Sequence, residues 1–397
     1  MRKYPFDPAT LDALPEELAE LYRGLEIELL QDIADKLKVT DEIGEATLQK
    51  IRALRSHGIS VDEIKKAVKD TAGISEKKLN ALLDDVVAKN QKYYTELADL
   101  AKMTVPETLV DAAVIAAVVR QTAGELKNLS RSMGFIVDAG RTKLPPAQVY
   151  QWALDKAITE VQSGAYSYGQ AIAGATKELA DSGLQYVDYE SGVSTHVDLA
   201  VRRAVMTAVT QINDKYTDQT AEYLDTRYFE ISAHAGARDN PLPNPWSSHK
   251  SWQGKVYYQS DHGEKDPLGQ YQDLVAVTGW GEVDGLCGIN CRHNRSVFIP
   301  GVSERTYTDE QLDSIDKPPF EYEGKTYTTY EATQKQRQIE SAVRHWKRRQ
   351  AAATNDDDRR AATARIRILN KKYKEFSEEA GLRMQKDRMR AYIPENQ

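Results

Sequence analysis

The stretch EELAELYRGLEIELLQDIADKLK, residues 16–38, decides the fold class of this chain. Its large apolar residues recur three or four positions apart, at Leu18, Leu21, Leu25, Leu29, Ile33 and Leu37. This spacing places them on one face of a helix, and the preceding Pro15 suits a first helical turn. An apolar face of this length needs a partner, so the stretch predicts one helix of a helical bundle.

Further helices are predicted along the first two hundred residues. A capping box at 60–63 begins a short helix that ends at Gly73, and Ser75 begins a longer one. The nearly all-apolar segment 112–119 predicts a helix buried on most sides. The pair Pro145-Pro146 begins another helix, which runs to Gly164.

The pattern changes after residue 185. Alternation around 186–193 predicts a small hairpin, helical spacing resumes over 197–224, and 228–232 has the pattern of a strand. Residues 233–301 are rich in Gly, Pro, His, Trp and Asp, which is typical of turns and short strands. Helical spacing returns over 330–354 and 358–379.

These patterns predict a mainly α protein with a small α+β module. We expect three segments: a helical N-terminal body over 1–185, an α+β module with His-, Cys- and Trp-rich loops over 186–302, and a linker with a basic helical tail over 303–397.

Composition excludes several classes of protein. A chain of 397 residues with 41% hydrophobic residues can bury a sizeable core, which excludes overall disorder. A net charge of −7 is not that of a protein that coats nucleic acid. No apolar run is long enough to span a bilayer, and the N-terminus lacks a signal peptide's apolar core, which predicts a cytosolic protein with no membrane contact.

Charge is distributed unevenly along the chain. Residues 335–390 hold 17 Lys or Arg and 8 Asp or Glu, a local net charge of +9, which leaves −16 for the rest. The sharpest basic cluster is Arg344, Lys347, Arg348 and Arg349 on one helix beside Trp346. It could contact DNA phosphates or an acidic protein surface, and the alternative is a solvated helix face with Trp346 packed inward.

Three uncommon words occur in order in the middle of the chain. They are His234-Ala235-Gly236-Ala237-Arg238, then Trp252-Gln253-Gly254-Lys255-Val256-Tyr257, then Gly285-Leu286-Cys287-Gly288-Ile289-Asn290-Cys291-Arg292-His293. Together with the segments 298–303 and 330–337, they resemble the phage minor capsid protein 2 family, which is distantly similar to Mu-type head-morphogenesis proteins. The resemblance is specific from about Tyr186 to Gly381.

The resemblance implies a structural role rather than catalysis. It implies a low-copy component of the virion head, formed in the host cytoplasm, associated with the portal vertex or the inner capsid and concerned with assembly, packaging or genome delivery. The implied partners are portal, major capsid or scaffold protein, and packaged DNA. No catalytic residues come with the family, and its motif residues map onto Gly236, Arg238, Trp252, Gly254, Lys255, Asn290 and Arg292.

The cysteines and histidines of the three words form a candidate metal site. Cys287, Cys291 and His293 lie within seven residues, and His234 or His249 could supply a fourth ligand to a structural zinc ion. The alternatives are reduced thiols in the core, with His293 bonded to backbone, or a disulfide across the Cys-x3-Cys spacing.

A second class of function is a DNA-binding or metal-dependent nuclease accessory delivered with the genome. The histidines with Arg238 and Asp239 could bind a divalent metal and a phosphate. A carboxylate pair with nuclease spacing is missing, and residues 279–285 lack the Gly-Lys-Ser/Thr ending of a phosphate loop. The sequence therefore favours a structural role over a nuclease function.

Overall fold

Helices hold most of the residues in the computed structural model, which describes residues 4–38, 61–187, 193–261, 263–288 and 291–391. The helices are α1 Pro8–Ala13, α2 Glu16–Lys38, α3 Val61–Leu100, α4 Ala112–Ser132, α5 Val149–Gln162, α6 Tyr168–Ser182, α7 Val197–Tyr223, α8 His249–Trp252, α9 Leu274–Thr278, α10 Asp309–Asp313, α11 Thr329–Ala351 and α12 Asp356–Glu379. The predicted mainly α class is confirmed.

Short strands form three small sheets among the described residues. The strands are β1 Met133–Val137, β2 Thr142–Leu144, β3 Gln185–Val187, β4 Ser194–His196, β5 Tyr228–Ile231, β6 Val256–Tyr258, β7 Arg295–Phe298, β8 Phe320–Tyr322 and β9 Lys325–Tyr327. Their orders are β2-β1-β3-β4, β6-β5-β7 and β8-β9, and all the pairs are antiparallel. The pairing of β3 with β4 confirms the hairpin predicted near 186–193, whose turn lies outside the described residues.

Contacts divide the chain into two units, each built from three stretches. The first unit comprises Met1–Pro15, Lys77–Glu125 and Arg202–Lys335. The second unit comprises Glu16–Glu76, Leu126–Val201 and Gln336–Gln397. These units are defined by contact rather than by chain order, so the division at 185 and 302 stays a prediction.

The second unit contains helix α2, the stretch of residues 16–38 with the apolar stripe. All six apolar residues of its stripe are 4% exposed or less, as a helix packed along one face requires. Helices α5 and α6 pack together and bury Leu154, Ile172 and Leu179. Helices α11 and α12 add a polar contact, because the Tyr373 hydroxyl donates to Glu340 at 2.8 Å.

The first unit packs part of α3 and most of α7 with the sheet β6-β5-β7. Tyr94 is fully buried, stacks on Tyr216 with ring centroids 6.4 Å apart, and bonds to the Thr217 hydroxyl at 2.6 Å. The rings fill the core and the hydroxyls satisfy each other there. This packing supports the strands that lead into the site described below.

The predicted helix break at Gly73 is wrong. Helix α3 runs without interruption from Val61 to Leu100, through both Gly73 and Ser75. Glycine weakens a helix interior by only about 1 kcal/mol, which the packing of a forty-residue helix easily offsets. The predicted start at Ser60 lies outside the described residues.

The predicted burial of 112–119 is also wrong. The helix is present as the first half of α4, but Val114 is 38% exposed and only Val118 of this segment is buried. Apolar composition indicates a helix but does not say what covers it. The result is an exposed apolar surface at the start of α4.

Two of the hairpins were not predicted from the sequence. Strands β1 and β2 interrupt the segment predicted to be wholly helical, and β8 with β9 lies in the predicted linker. Each strand has only three to five residues, too few for a convincing alternation. No helix among the described residues has the length and apolarity needed to cross a membrane.

Candidate functional site

Two segments of the first unit bring three metal-binding side chains together. His249 begins the one-turn helix α8, and Cys291 and His293 lie just before strand β7. One ligand atom from each of the three residues lies within 4.8 Å of the others, and all three residues are buried. The closest pair is Cys291 Sγ and His293 Nδ1, 3.5 Å apart.

Hydrogen bonds hold both imidazole rings in place. His293 Nε2 lies 3.1 Å from Gln253 Oε1, and the same oxygen accepts the backbone N–H of His234 at 3.0 Å. His249 Nε2 lies 3.0 Å from the backbone carbonyl oxygen of Asp284. Since both partners are acceptors, each Nε2 carries the proton and each Nδ1 keeps its lone pair.

Burial keeps the three residues neutral. It lowers the pKa of His249 to about 4 and that of His293 well below its ordinary value, with neighbouring cationic and imidazole groups adding to the effect on His293. Burial also raises the pKa of the Cys291 thiol to about 11. At neutral pH the site therefore presents two uncharged imidazoles and a thiol.

The rings of Trp252 and His234 pack against the histidines of the site. Trp252 is fully buried, with its ring centroid 4.6 Å from that of His249 and 4.9 Å from that of His293. His234 stacks face to face on His293 at 4.6 Å, and its Nδ1 donates to the Ala235 carbonyl at 2.9 Å. His234 thus contacts His293 but does not belong to the group of three ligand residues.

Cys287 is not part of the group formed by His249, Cys291 and His293. Its backbone has φ of 63°, and its Sγ lies 3.8 Å from Asp214 Oδ1 and 3.9 Å from the carbonyl oxygen of His293. Both cysteines are free thiols in the structure. The structure therefore groups Cys291 with His249 and His293, and leaves Cys287 outside that group.

The family-motif residues shape the loops around the site. Arg238 donates to the Asp284 carbonyl at 3.3 Å, and Arg292 lies 3.5 Å from Asp12. Gly254 has φ of +72° beside Leu312, which would clash with an added Cβ, so only glycine fits there. The Gly236 N–H donates to Asp316 at 2.7 Å. Trp252 is buried and Lys255 is exposed. Asn290 lies outside the described residues.

Sequence reasoning missed the groups that orient the site. Gln253 stands within one of the quoted words, but nothing in its neighbours signals that its amide fixes His293. Asp284 accepts hydrogen bonds from Asn244, Trp246 and Ser247, which lower its pKa to about 2 and fix the carbonyl that holds His249. These contacts join residues about 40 positions apart, beyond the reach of local patterns.

A buried arginine beside the site was also missed. Arg295 is fully buried, pairs with Asp214 at 3.0 Å and Asp218 at 2.5 Å, and lies 4.0 Å from the ring centroid of Trp280. Two carboxylates and an aromatic face offset the cost of burying its charge. This arrangement anchors β7 to α7 within the first unit.

The predicted basic cluster belongs to the second unit and makes contacts within it. Arg344 donates to the Arg388 carbonyl at 2.9 Å, and Lys347 donates to the Met389 carbonyl at 2.6 Å. The other two cations contact acidic partners: Arg348 lies 3.7 Å from Glu26, and Arg349 pairs with Asp181. The spacing on one helix is as predicted, whereas any contact of these side chains with DNA or portal stays a prediction.

The chain is a phage structural protein. Over 277 residues, which cover 67% of this chain and 68% of the relative, it is 25% identical to a protein named "Structural protein" from Lactococcus phage LL-H. Residues 6–378 match the family phage minor capsid protein 2, and the chain belongs to that family. The suspected resemblance is thereby confirmed. No solved structure matches the chain.

Proposed function

We propose that this minor capsid protein acts at the portal vertex or on the inner face of the capsid, in head assembly, DNA packaging or genome delivery. The family match over 6–378 is the observation that carries the proposal. A minor component of a symmetric shell needs a defined position, and a unique vertex or the interior provides one. The protein is then a virion component that assembles in the host cytoplasm and has no catalytic role.

An exposed apolar surface of the first unit supports a protein partner. Leu100 is 62% exposed, Met103 39% and Val114 38%, and Ala112 and Ala113 at the start of α4 are also exposed. Exposed apolar side chains at several positions of one connected segment, 100–114, suit a protein contact site. We assign this surface to contact with portal, major capsid or scaffold protein.

An exposed basic face of the second unit supports an acidic partner. On α12, Arg360, Arg367, Lys371 and Lys374 recur at helical spacing, and Ile368 between them is 58% exposed. Acidic residues of the same helix pair with three of these four cations: Arg360 with Asp357 at 2.8 Å, Lys371 with Glu375 at 3.6 Å and Lys374 with Glu378 at 3.8 Å. This face, more exposed than the cluster on α11, is the better candidate for DNA or an acidic protein surface.

The nuclease alternative has less support. The only metal-ligand cluster found among the described residues is buried, and it consists of two imidazoles and a thiol. Metal-dependent phosphodiester cleavage needs a metal that the scissile phosphate can reach, with oxygen ligands in the usual two-metal sites. Magnesium- or manganese-dependent cleavage of DNA that His293→Ala abolishes would favour this alternative.

Cross-linking of isolated heads tests the proposal. We expect mass spectrometry to find cross-links between this chain and portal, major capsid or scaffold protein. Val114→Asp should weaken assembly into heads, whereas Val275→Asp, at another exposed apolar residue that is 42% exposed, should not. Heads that lack the protein altogether, or cross-links confined to host proteins, would contradict the proposal.

A further inference from the structure

Three buried donors of the first unit are arranged as a zinc site would require. A tetrahedral zinc ion with bonds of about 2.3 Å to sulfur and about 2.0 Å to nitrogen holds these two donors roughly 3.5 Å apart. Cys291 Sγ and His293 Nδ1 are 3.5 Å apart, and the donor atom of His249 completes a group within 4.8 Å. Binding of one ion would draw the three donor atoms to the shorter separations of a tetrahedral site.

The ring tautomers leave the correct nitrogens available. Gln253 Oε1 and the Asp284 carbonyl accept from the two Nε2 atoms, so the Nδ1 lone pairs of His293 and His249 remain for a metal. Histidine ligands of zinc commonly donate their other nitrogen to a carbonyl or carboxylate, which fixes the ring. Both outer contacts are therefore present before any metal binds.

The chemistry of the donors selects the metal. Two imidazole nitrogens and one thiolate suit zinc, whereas calcium and magnesium require oxygen ligands. Metal binding removes the thiol proton and leaves one positive charge on the ion and its thiolate. The nearby Arg292 is paired with Asp12 at 3.5 Å, which limits its repulsion of that charge.

We propose that His249, Cys291 and His293 bind one zinc ion, with water in the fourth position. The ion would join α8 to the segment that leads into β7, adding to the contact that Gln253 already makes with His293. Cys287 and His234 are not ligands: the first faces Asp214, and the second stacks on His293. The proposal does not depend on where the protein lies in the head.

The metal content of the full-length protein, purified without chelator or affinity histidines, tests the proposal. We expect about one equivalent of zinc per chain by elemental analysis. We expect Cys291→Ser to lose the zinc, and the matched variant Cys287→Ser, four residues away, to keep it. His234→Asn should also keep it.

Cobalt(II) substitution provides a readout that does not depend on the folding of a variant. Cobalt(II) added to the metal-free wild-type protein should give a thiolate-to-metal charge-transfer band in the near ultraviolet. The band should persist in Cys287→Ser and be absent from Cys291→Ser. Zinc-free wild-type protein that gives no such band, or a band lost from Cys287→Ser alone, would overturn the assignment and leave the Cys291 thiol as a hydrogen-bond donor to His293.

Discussion

Arg348 illustrates how burial changes the role of a charged side chain. It is 7% exposed, its Nε donates to the Ala180 carbonyl at 2.9 Å, and it lies 3.7 Å from Glu26. Glu26 in turn accepts the Leu184 backbone N–H at 2.5 Å. Helical spacing placed Arg348 in a basic cluster, but these contacts make it part of the core of the second unit.

Replacement of this side chain should destabilise the protein. Arg348→Ala leaves Glu26 buried without its cation, so we expect the free energy of unfolding to fall by about 3 kcal/mol. Arg367→Ala on the exposed face of α12 is the matched control and should change it by less than about 0.5 kcal/mol. Chemical denaturation measures both. Equal, small effects would mean that Arg348 is not part of the core.

His196 should make the second unit sensitive to acid. Burial, aided by Arg348, lowers its pKa from 6.5 to about 4, with Arg344 and His345 acting in the same direction and Asp198 opposing them. Between these pH values the His196 imidazole is therefore protonated in the unfolded chain and neutral in the folded chain. The contribution of His196 to stability is complete above about pH 6.5 and falls as the pH is lowered towards 4, by about 1.4 kcal/mol for each pH unit.

Denaturation curves at several pH values test this expectation. We expect His196→Gln to lose less stability between pH 7 and pH 4.5 than the wild type, because glutamine does not titrate. His345→Gln, with a half-buried imidazole, should show the smaller change. An unchanged pH dependence in His196→Gln would contradict the assignment.

Residue types could be predicted at the site, but their grouping could not. His249, Cys291 and His293 were all candidates from the sequence. The Cys-x3-Cys spacing suggested that both thiols act together, yet the left-handed backbone at Cys287 turns its sulfur towards Asp214. Spacing does not determine such a turn, so the choice between the two thiols needed the structure.

The continuity of helix α3 through Gly73 can be tested directly. At Gly73 an added Cβ would meet nothing within 4 Å, and the residue lies within the helix. Gly73→Ala should raise the free energy of unfolding by about 0.5–1 kcal/mol, through helix propensity. Destabilisation would instead indicate that the helix ends there in a left-handed turn.

Gly183, unlike Gly73, has a backbone conformation and close neighbours that disfavour any side chain. Its φ is +63°, and an added Cβ would lie 2.7 Å from Glu26 Oε1 and 2.9 Å from His196 Cε1. Gly183→Ala should therefore destabilise the protein, by more than about 1 kcal/mol. We expect the melting temperature to rise in Gly73→Ala and to fall in Gly183→Ala. Such opposite shifts would establish that the two glycines have different structural roles.

Long elements were predictable and short ones were not. The stripe of residues 16–38 repeats over six turns, so its helix and its buried face were both correct. The apolar segment 112–119 gave the helix but not its exposure, because burial depends on what packs against it. Strands β8 and β9, with three residues each, carry too little pattern to be recognised.

The uneven charge of the whole molecule leads to a prediction about binding. If the basic face of α12 contacts an acidic partner, full-length protein should bind that partner less tightly as salt rises. The double variant Arg367→Glu and Lys371→Glu should weaken binding further. Arg227→Glu, at an exposed arginine of the first unit, is the control. We expect portal protein rather than duplex DNA to be the partner that shows this behaviour, since a low-copy protein needs a defined position.

Sedimentation with purified portal and with duplex DNA, each over a range of salt concentrations, distinguishes the two partners. Binding to DNA alone, lost in the α12 variant, would assign the face to the genome. Binding to neither would contradict a docking role for this face. The family was recognisable from three uncommon words, but the partner was not, because docking surfaces lie on residues scattered along the chain.

Immunolabelling of isolated phage heads by electron microscopy gives the most direct test of the proposed location in the head. With antibody against this chain, intact and opened heads should both be examined. We expect the protein to be present in heads in low copy, with label at a single vertex or exposed only after the heads are opened. Heads that contain no label in either state, although the major capsid protein is labelled in parallel, would contradict it.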